Sequence, residues 1–174
     1  MDLLREEGYA SLTIDGIAHR AGVGKQTIYR WWKGKPELVL EAFASYASRE
    51  IPLPDTGVAQ ADIEAFLATS FRKLNEGAAP VVRGLMADAI LDPAFGDLLR
   101  EVFISRRRDA LKTLLERGIA RGEISADADI ELAVDMLFGP MWYRLLNRHA
   151  PLNRRFASGL ASRLMQGIGI APAG

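Results

Sequence analysis

The sequence predicts an all-α protein. Apolar residues recur at intervals of three and four along most of the 174-residue chain, and no long stretch alternates with period two. Prolines and glycines interrupt this pattern repeatedly, which is typical of the ends of helices. Hydrophobic residues make up 49% of the chain, so we expect a folded protein with a sizeable core.

The first 50 residues are predicted to hold four helices. A helix within MDLLREEG is expected to end at Gly8, and Thr13 is a suitable N-cap for the second helix, IDGIAHRA, which should stop at Gly22. A short helix over about residues 25–31 follows the turn GVG. Pro36 suits the first turn of a longer fourth helix, because proline has no N–H to leave unpaired there.

The segment IPLPDTG is the best candidate domain boundary, because two prolines and a glycine separate helical patterns there. We therefore predict a small N-terminal domain over residues 1–50 and a larger helical domain over residues 51–174. The larger domain is expected to hold longer helices, with approximate ranges 62–75, 80–91, 93–121, 129–146 and 153–168.

Composition limits the chemistry that this chain can perform. Cysteine is absent, which removes disulfides, thiolate nucleophiles and cysteine-based zinc sites. The only histidines, His19 and His149, lie far apart in the sequence. We therefore predict no catalytic residues, no metal ligands and no cofactor. No apolar run approaches the roughly 20 residues of a membrane span, and the acidic start is unlike a secretory signal, so the expected location is the cytoplasm.

A local concentration of basic residues favours nucleic-acid binding. The net charge of the chain is zero, but residues 19–35 contain five lysines and arginines and no acid. The same part of the chain, residues 13–33, has the spacing of a helix-turn-helix, two short helices joined by a glycine-containing turn. A basic face on such a motif indicates contact with a phosphate backbone. An ordinary helical hairpin is the alternative.

Helical phase separates the inner and outer side chains of the second helix of this motif. Ile28 and Trp32 are predicted to face the core together with Val23 and the preceding helix. The side chains of Lys25, Gln26, Tyr29 and Arg30 should point outward, with Trp31 at the exposed edge. Such groups can reach base edges or phosphates. Lys35 and Thr13 each lie at a helix start, where they could bind a phosphate.

The stretch GYASLTIDGIAHRAGVGKQTIYRWWKGKPELVLEAF resembles the DNA-binding domain of the TetR/AcrR family of transcriptional regulators. The resemblance implies a three-helix DNA-binding domain, a helical C-terminal domain, and a homodimer that binds a palindromic double-stranded DNA operator. It also implies that Trp32 belongs to the core. The DNA-facing residues that it implies are Lys25, Gln26, Thr27, Tyr29, Arg30 and Trp31, with Lys35 on a phosphate.

The sequence departs from the family pattern at two places. Gly24 stands where the family commonly has serine at the start of the recognition helix, which removes a side-chain cap. Only seven residues precede Gly8, so the first helix is short and a basic N-terminal arm is missing. We therefore expect the natural protein to begin upstream of Met1.

The second half resembles the C-terminal domain of one TetR subgroup, over GEISADADIELAVDMLFGPMWYRLLNRHAPL. The resemblance implies that the last two helices of each subunit form a four-helix bundle across the dimer axis, and their surplus of apolar residues agrees. Burial of these residues within one subunit is the alternative. The predicted interface residues are Leu132, Met141, Leu145, Phe156, Leu160 and Leu164.

Family resemblance also implies a pocket for an unidentified small-molecule effector among the middle helices. Most Met and aromatic residues at helical spacing are core residues, so we expect at most half of the candidates to line a cavity. The candidates are Arg83, Met86, Ile90, Phe103, Met136 and Trp142. The run of arginines at 106–108 is interpreted as a solvated face with one arginine turned inward.

The sequence therefore predicts a ligand-responsive, dimeric repressor that is not an enzyme. A helical enzyme remains the first alternative, although no acid/base or nucleophile grouping with recognisable spacing is present. A helical protein-interaction module without sequence-specific DNA binding is the second.

Overall fold

The computed structural model describes residues 2–169, so the last five residues of the predicted larger domain lie outside the described part. It confirms the all-α class. None of the helices within residues 2–169 is both long and apolar enough to cross a bilayer. The helices are α1 (Asp2–Ser11), α2 (Ile14–Ala21), α3 (Lys25–Tyr29), α4 (Lys35–Glu50), α5 (Ala59–Lys73), α6 (Ala79–Leu91), α7 (Pro93–Leu99), α8 (Ser105–Ala120), α9 (Ile130–Asn147) and α10 (Arg154–Ile168).

Two features differ from the sequence-based prediction. The first helix is interrupted at Gly8, whose φ is 77°, as predicted, but helical structure resumes after Gly8 and continues to Ser11. The single helix predicted over residues 93–121 is divided into α7 and α8 by a π-helical turn at Arg100–Ile104. The apolar spacing continues through that turn, so the periodicity alone did not reveal it.

The chain forms two compact units. The first comprises Met1–Glu50 and Gly77–Ser105, and the second comprises Ile51–Glu76 and Arg106–Gly174. The predicted division after residue 50 coincides with one boundary between these units. Residues 77–105, which that division assigns to the larger domain, instead group with the N-terminal helices.

In the first unit, α1 and α4 pack against α6 and the segment that follows it. Phe43 on α4 lies against Phe103, with 5.3 Å between ring centroids and an interplanar angle of 53°. The buried apolar side chains of α1, α4, α6 and α7 form one core in this unit. They include Leu4, Tyr9, Val39, Leu40, Phe43, Val81, Val82, Leu85, Phe95 and Leu99.

In the second unit, α5 and α10 form the main helix pair. Phe71 of α5 stacks on Phe156 of α10, with ring centroids 5.7 Å apart and an interplanar angle of 18°. Ala157 and Ala161 are buried, and their small side chains allow the two helices to approach closely. Fully buried residues of α5, α8 and α9 complete the core, among them Ile63, Phe66, Leu67, Leu111, Leu114, Leu115, Val134 and Leu137.

The segment RGEI, residues 121–124, stabilises the start of α5. The N-cap Val58 provides no side-chain hydrogen bond, and the Glu123 carboxylate accepts one from the Ala59 N–H at 2.7 Å instead. Arg121 pairs with Asp62, whose carboxylate is fully buried and also accepts hydrogen bonds from Thr56. The RGEI segment, which is part of the family resemblance, therefore makes stabilising contacts within one subunit.

Candidate nucleic-acid interface

The helix-turn-helix is formed by α2, a glycine turn and α3. Thr13 caps α2, because its hydroxyl oxygen accepts a hydrogen bond from the Gly16 N–H at 3.1 Å. Gly22 ends α2 in the left-handed conformation with φ of 67°, which glycine adopts without a steric penalty. The Val23 N–H then bonds to the Ala18 carbonyl oxygen at 3.0 Å, which fixes the turn that leads into α3.

Helix α3 is anchored on one side and open on the other. Ile28 is buried, whereas the six residues from Lys25 to Trp31 that were predicted to face DNA are all exposed; Lys35, predicted on a phosphate, is half-buried. This exposure agrees with the outward helical phase predicted for these side chains. Val23 is exposed rather than in the core. The exposed set is Lys25, Gln26, Thr27, Tyr29, Arg30 and Trp31.

The two neighbouring tryptophans lie in different environments. Trp31 is 71% exposed. Trp32 is half-buried, and its indole N–H donates a hydrogen bond to Glu41 at 2.7 Å. The expected enclosure of Trp32 is therefore partial, because its N–H requires a partner and Glu41 provides one near the surface.

Carboxylates neutralise part of the basic stretch. Arg20 forms two hydrogen bonds of 3.0 Å with Glu6, which link α2 to α1. Lys25 pairs with Asp15, and both side chains are exposed. Exposed pairs of this kind contribute little stability, so Asp15 does not hold Lys25 strongly. Within residues 2–169, Arg30 pairs with no carboxylate, so its charge is available at the surface.

Lys35 has a partner in α1. Its ammonium group donates a hydrogen bond to the Tyr9 carbonyl oxygen at 3.1 Å and lies 4.6 Å from the centroid of the Tyr9 ring. The Tyr9 hydroxyl in turn donates to Asp88 on α6. Burial raises the pKa of Tyr9, as do the hydrogen bond to Asp88 and its negative charge, so the hydroxyl remains a donor. Lys35 is thus positioned by the protein, with ammonium hydrogens left for another acceptor.

The six candidate pocket residues do not share one environment. Arg83, Met86, Ile90 and Phe103 belong to the first unit, and Met136 and Trp142 to the second. Two of the side chains are exposed: Ile90 is 77% exposed and Met136 is 50% exposed. Arg83, Met86, Phe103 and Trp142 are half-buried. The pocket stays a prediction.

Three of the predicted interface residues are buried within the second unit. Met141, Leu145 and Leu164 face its core, and Phe156 is held between Phe71 and Arg144, whose guanidinium lies 3.4 Å from the Phe156 ring centroid. Leu160 is half-buried and Leu132 is exposed.

A different apolar stripe of α9 is open to solvent. Its members are spaced by four, three and four residues, so they share one face of the helix. Sequence reasoning missed most of this stripe because α9 is apolar on both faces. The stripe consists of Leu132, Met136, Gly139 and Tyr143, and Leu146 extends it.

Two family models match the chain. Residues 1–42 match the model described as bacterial regulatory proteins, tetR family, and residues 53–164 match the model described as tetracyclin repressor-like, C-terminal domain. The chain is similar to the HTH-type transcriptional regulator YdeS of Bacillus subtilis, with 36% identity over 167 residues, covering 96% of this chain and 84% of YdeS.

Solved structures show the same fold. The TetR family transcription regulator SCO0332 has a TM-score of 0.87 at 29% identity, with 98% of this chain and 93% of that one covered. The transcriptional regulator FadR of Bacillus subtilis, solved in complex with stearoyl-CoA, has a TM-score of 0.67 at 21% identity, with 96% and 94% covered. At that identity the second likeness concerns the fold alone.

Proposed function

The chain belongs to the TetR family of bacterial transcriptional regulators, and we propose that it is a repressor that binds a palindromic DNA operator as a homodimer and releases it when a small-molecule effector binds. The observation that carries the proposal is the exposed face of α3, which Ile28 anchors to the core. We propose no enzymatic activity, and we place the protein in the cytoplasm with its operator.

We assign base reading to the start of α3. In a helix-turn-helix the N-terminal residues of the second helix contact base edges in the major groove. Lys25 and Gln26 occupy that position, and they have the donors and acceptors that distinguish guanine and adenine. Tyr29 and Trp31 supply further contact area at the exposed end of the motif.

Phosphate contacts position the motif. Thr13 has a hydroxyl hydrogen free to donate after its oxygen caps α2, and the ammonium of Lys35 is held against Tyr9 at the start of α4. Arg30 adds a cation without a carboxylate partner among the residues that the structure describes. These groups can bind the backbone without reading bases.

The dimer is assigned to α9 and α10. The open stripe of α9 supports this assignment, because contiguous exposed apolar side chains on a helix indicate an interaction surface. We propose that Leu132, Met136, Tyr143 and Leu146 contact the second copy together with the adjacent face of α10. Met141, Leu145 and Leu164 support this face from inside the subunit.

Regulation then acts on the spacing of the two recognition helices. They must lie about one turn of DNA apart, ~34 Å, to enter successive major grooves. An effector lowers operator affinity to the extent that it binds a conformation with another spacing more tightly. FadR, of the same fold, binds stearoyl-CoA, which supports an effector here. Which of the predicted pocket residues contact it stays a prediction.

Selection of bound fragments from random and genomic DNA tests the proposal. We expect a palindromic motif, because the same motif of each subunit reads one half-site. Lys25→Ala or Gln26→Ala should change the preferred base at one or two positions of each half-site, at about 1–3 kcal/mol for a bidentate contact. Arg106→Ala, an exposed change on α8, is the matched control. Recovery of no preferred sequence by the parent protein would reject the proposal.

A further inference from the structure

The three consecutive arginines at the start of α8 have three different environments. Arg106 is exposed. Arg108 bonds to Glu131 at 2.7 Å and also to Asp135, both on α9, and these hydrogen bonds raise its pKa. Arg107 is turned inward and largely buried. The expectation of one inward arginine in this run is therefore confirmed.

Arg107 lies in an apolar environment. Its guanidinium carbon is 4.6 Å from the centroid of the Phe66 ring on α5, and Phe66 has no exposed surface. Ile63, one helical turn from Phe66, and Leu111, one turn from Arg107, are fully buried as well. The cationic group therefore faces hydrocarbon on at least one side.

One nitrogen of the Arg107 guanidinium lacks a hydrogen-bond acceptor. Its Nη2 atom is inaccessible to solvent and has no hydrogen-bond partner. Glu131 and Asp135, the two acids of α9, are bound to Arg108 and Lys112. Burial lowers the pKa of Arg107 to about 10, so the side chain is still a cation at neutral pH. The attraction of the Phe66 ring offsets only part of the cost of burying this charge.

The missing partner must be an acceptor, because a guanidinium has donors only. A buried charge is stabilised far better by an opposite charge than by a neutral acceptor. The unpaired nitrogen of this cation can bind one carboxylate oxygen, and the Phe66 ring beside it can contact the apolar part of the same molecule. An organic monocarboxylate has both properties.

We propose that Arg107 is the anchor of an effector site, and that it binds the carboxylate of an apolar monocarboxylic acid. This inference rests on the proposed function, because it assigns the chemical class of the effector that releases the operator. The carboxylate accepts from the Nη2 N–H, and the apolar part of the acid lies along the hydrocarbon that surrounds Phe66.

Binding of defined acids to the purified full chain tests the proposal. Sodium benzoate, octanoate and decanoate are compared with the corresponding neutral amides by calorimetry and by the unfolding temperature. At least one acid should bind and raise the unfolding temperature, and its amide should not. Arg107→Met should weaken that binding by about 10- to 100-fold, the range for a hydrogen bond to a charged group. Arg106→Met, one position away and exposed, should bind like the parent.

A purely structural role for Arg107 gives a different result. If the buried charge is kept for a ligand, free Arg107→Met should unfold at the same temperature as the free parent or higher, because methionine removes an uncompensated charge. A clearly lower unfolding temperature for free Arg107→Met, or binding of every acid with equal affinity to Arg107→Met and parent, would overturn the proposal. So would the failure of all three acids to bind the parent.

Operator release separates this inference from the function on which it rests. An acid that binds through Arg107 and frees the operator supports both. An acid that binds through Arg107 and leaves operator affinity unchanged supports the carboxylate site and rejects its role as the effector site. Absence of sequence-specific DNA binding by the parent would reject the proposed function, whatever the acids do.

Discussion

The Tyr9 hydroxyl donates a hydrogen bond to the Asp88 carboxylate, which joins α1 to α6 within the first unit. The backbone of Tyr9 is also bound, because its carbonyl oxygen accepts from Lys35 at the start of α4. One buried tyrosine therefore connects three helices. A shift of α6 along its axis would strain this contact, so Tyr9 gives α6 a direct mechanical link to the helices that hold the DNA-binding motif.

The close approach of α1 and α6 depends on Gly84. A Cβ atom at this position would overlap the Tyr9 ring. We predict that Gly84→Ala destabilises the protein by about 1–3 kcal/mol, the usual cost of overpacking, measured by urea unfolding. Gly167→Ala is the control, because a Cβ atom there would meet nothing within 4 Å, and it should leave stability unchanged or raise it by up to about 1 kcal/mol. Equal stabilities of the two variants would contradict the packing argument.

The helix-turn-helix was predictable because its determinants are local. The Thr13 cap, the Gly22 turn and buried Ile28 lie within one short stretch, and each acts on its neighbours in sequence. The π-helical turn at Arg100–Ile104 was not predictable in this way, since the apolar spacing continues through it. The bond from Lys35 to Tyr9 was equally hidden, because it joins residues 26 positions apart.

Helix α9 shows a second limit of sequence reasoning. Both of its faces are apolar, so periodicity identifies two candidate stripes and does not say which of them the subunit buries. The structure buries the stripe with Leu137, Met141 and Leu145 and leaves Met136 and Tyr143 open. The choice depends on how α9 packs against other helices of the second unit. The periodicity of the α9 sequence carries no information about that packing.

The open stripe of α9 leads to a prediction for the dimer. Met136→Glu should convert the protein to monomers, because a two-fold interface would bury the new carboxylate of each copy without a partner. Light scattering measures the mass, and circular dichroism checks that the monomer is folded. Gln60→Glu adds the same charge at an exposed position of α5 and should leave the mass unchanged. A folded Met136→Glu variant with the mass of the parent would place the interface elsewhere.

Replacing a cation of the binding motif should change how strongly operator affinity depends on salt, whereas replacing a cation elsewhere should not. Arg30→Ala and Lys35→Met should each flatten the dependence of log affinity on log salt by about one unit for every phosphate that the variant no longer neutralises, because fewer counterions are released. Fluorescence anisotropy with labelled operator measures the slope. Arg106→Ala removes the same charge as Arg30→Ala away from the motif and should keep the parental slope. If Lys35→Met also keeps it, the bond to Tyr9 is the whole role of Lys35.

The Glu123 carboxylate should contribute more to the free energy of unfolding than an average surface acid does, because it accepts a hydrogen bond from the N–H of fully buried Ala59 at the start of α5. Glu123→Ala leaves this donor unpaired, and we predict a decrease of about 1–3 kcal/mol in the free energy of unfolding. Glu123→Gln keeps an amide oxygen that can accept the same bond, so it should recover part of the decrease but not the favourable charge at the helix N-terminus. Glu116→Ala, an exposed change on α8, should alter stability by no more than about 0.5 kcal/mol. Urea unfolding of the four proteins separates these cases: a Glu123→Ala variant as stable as Glu116→Ala would mean that water satisfies the Ala59 N–H.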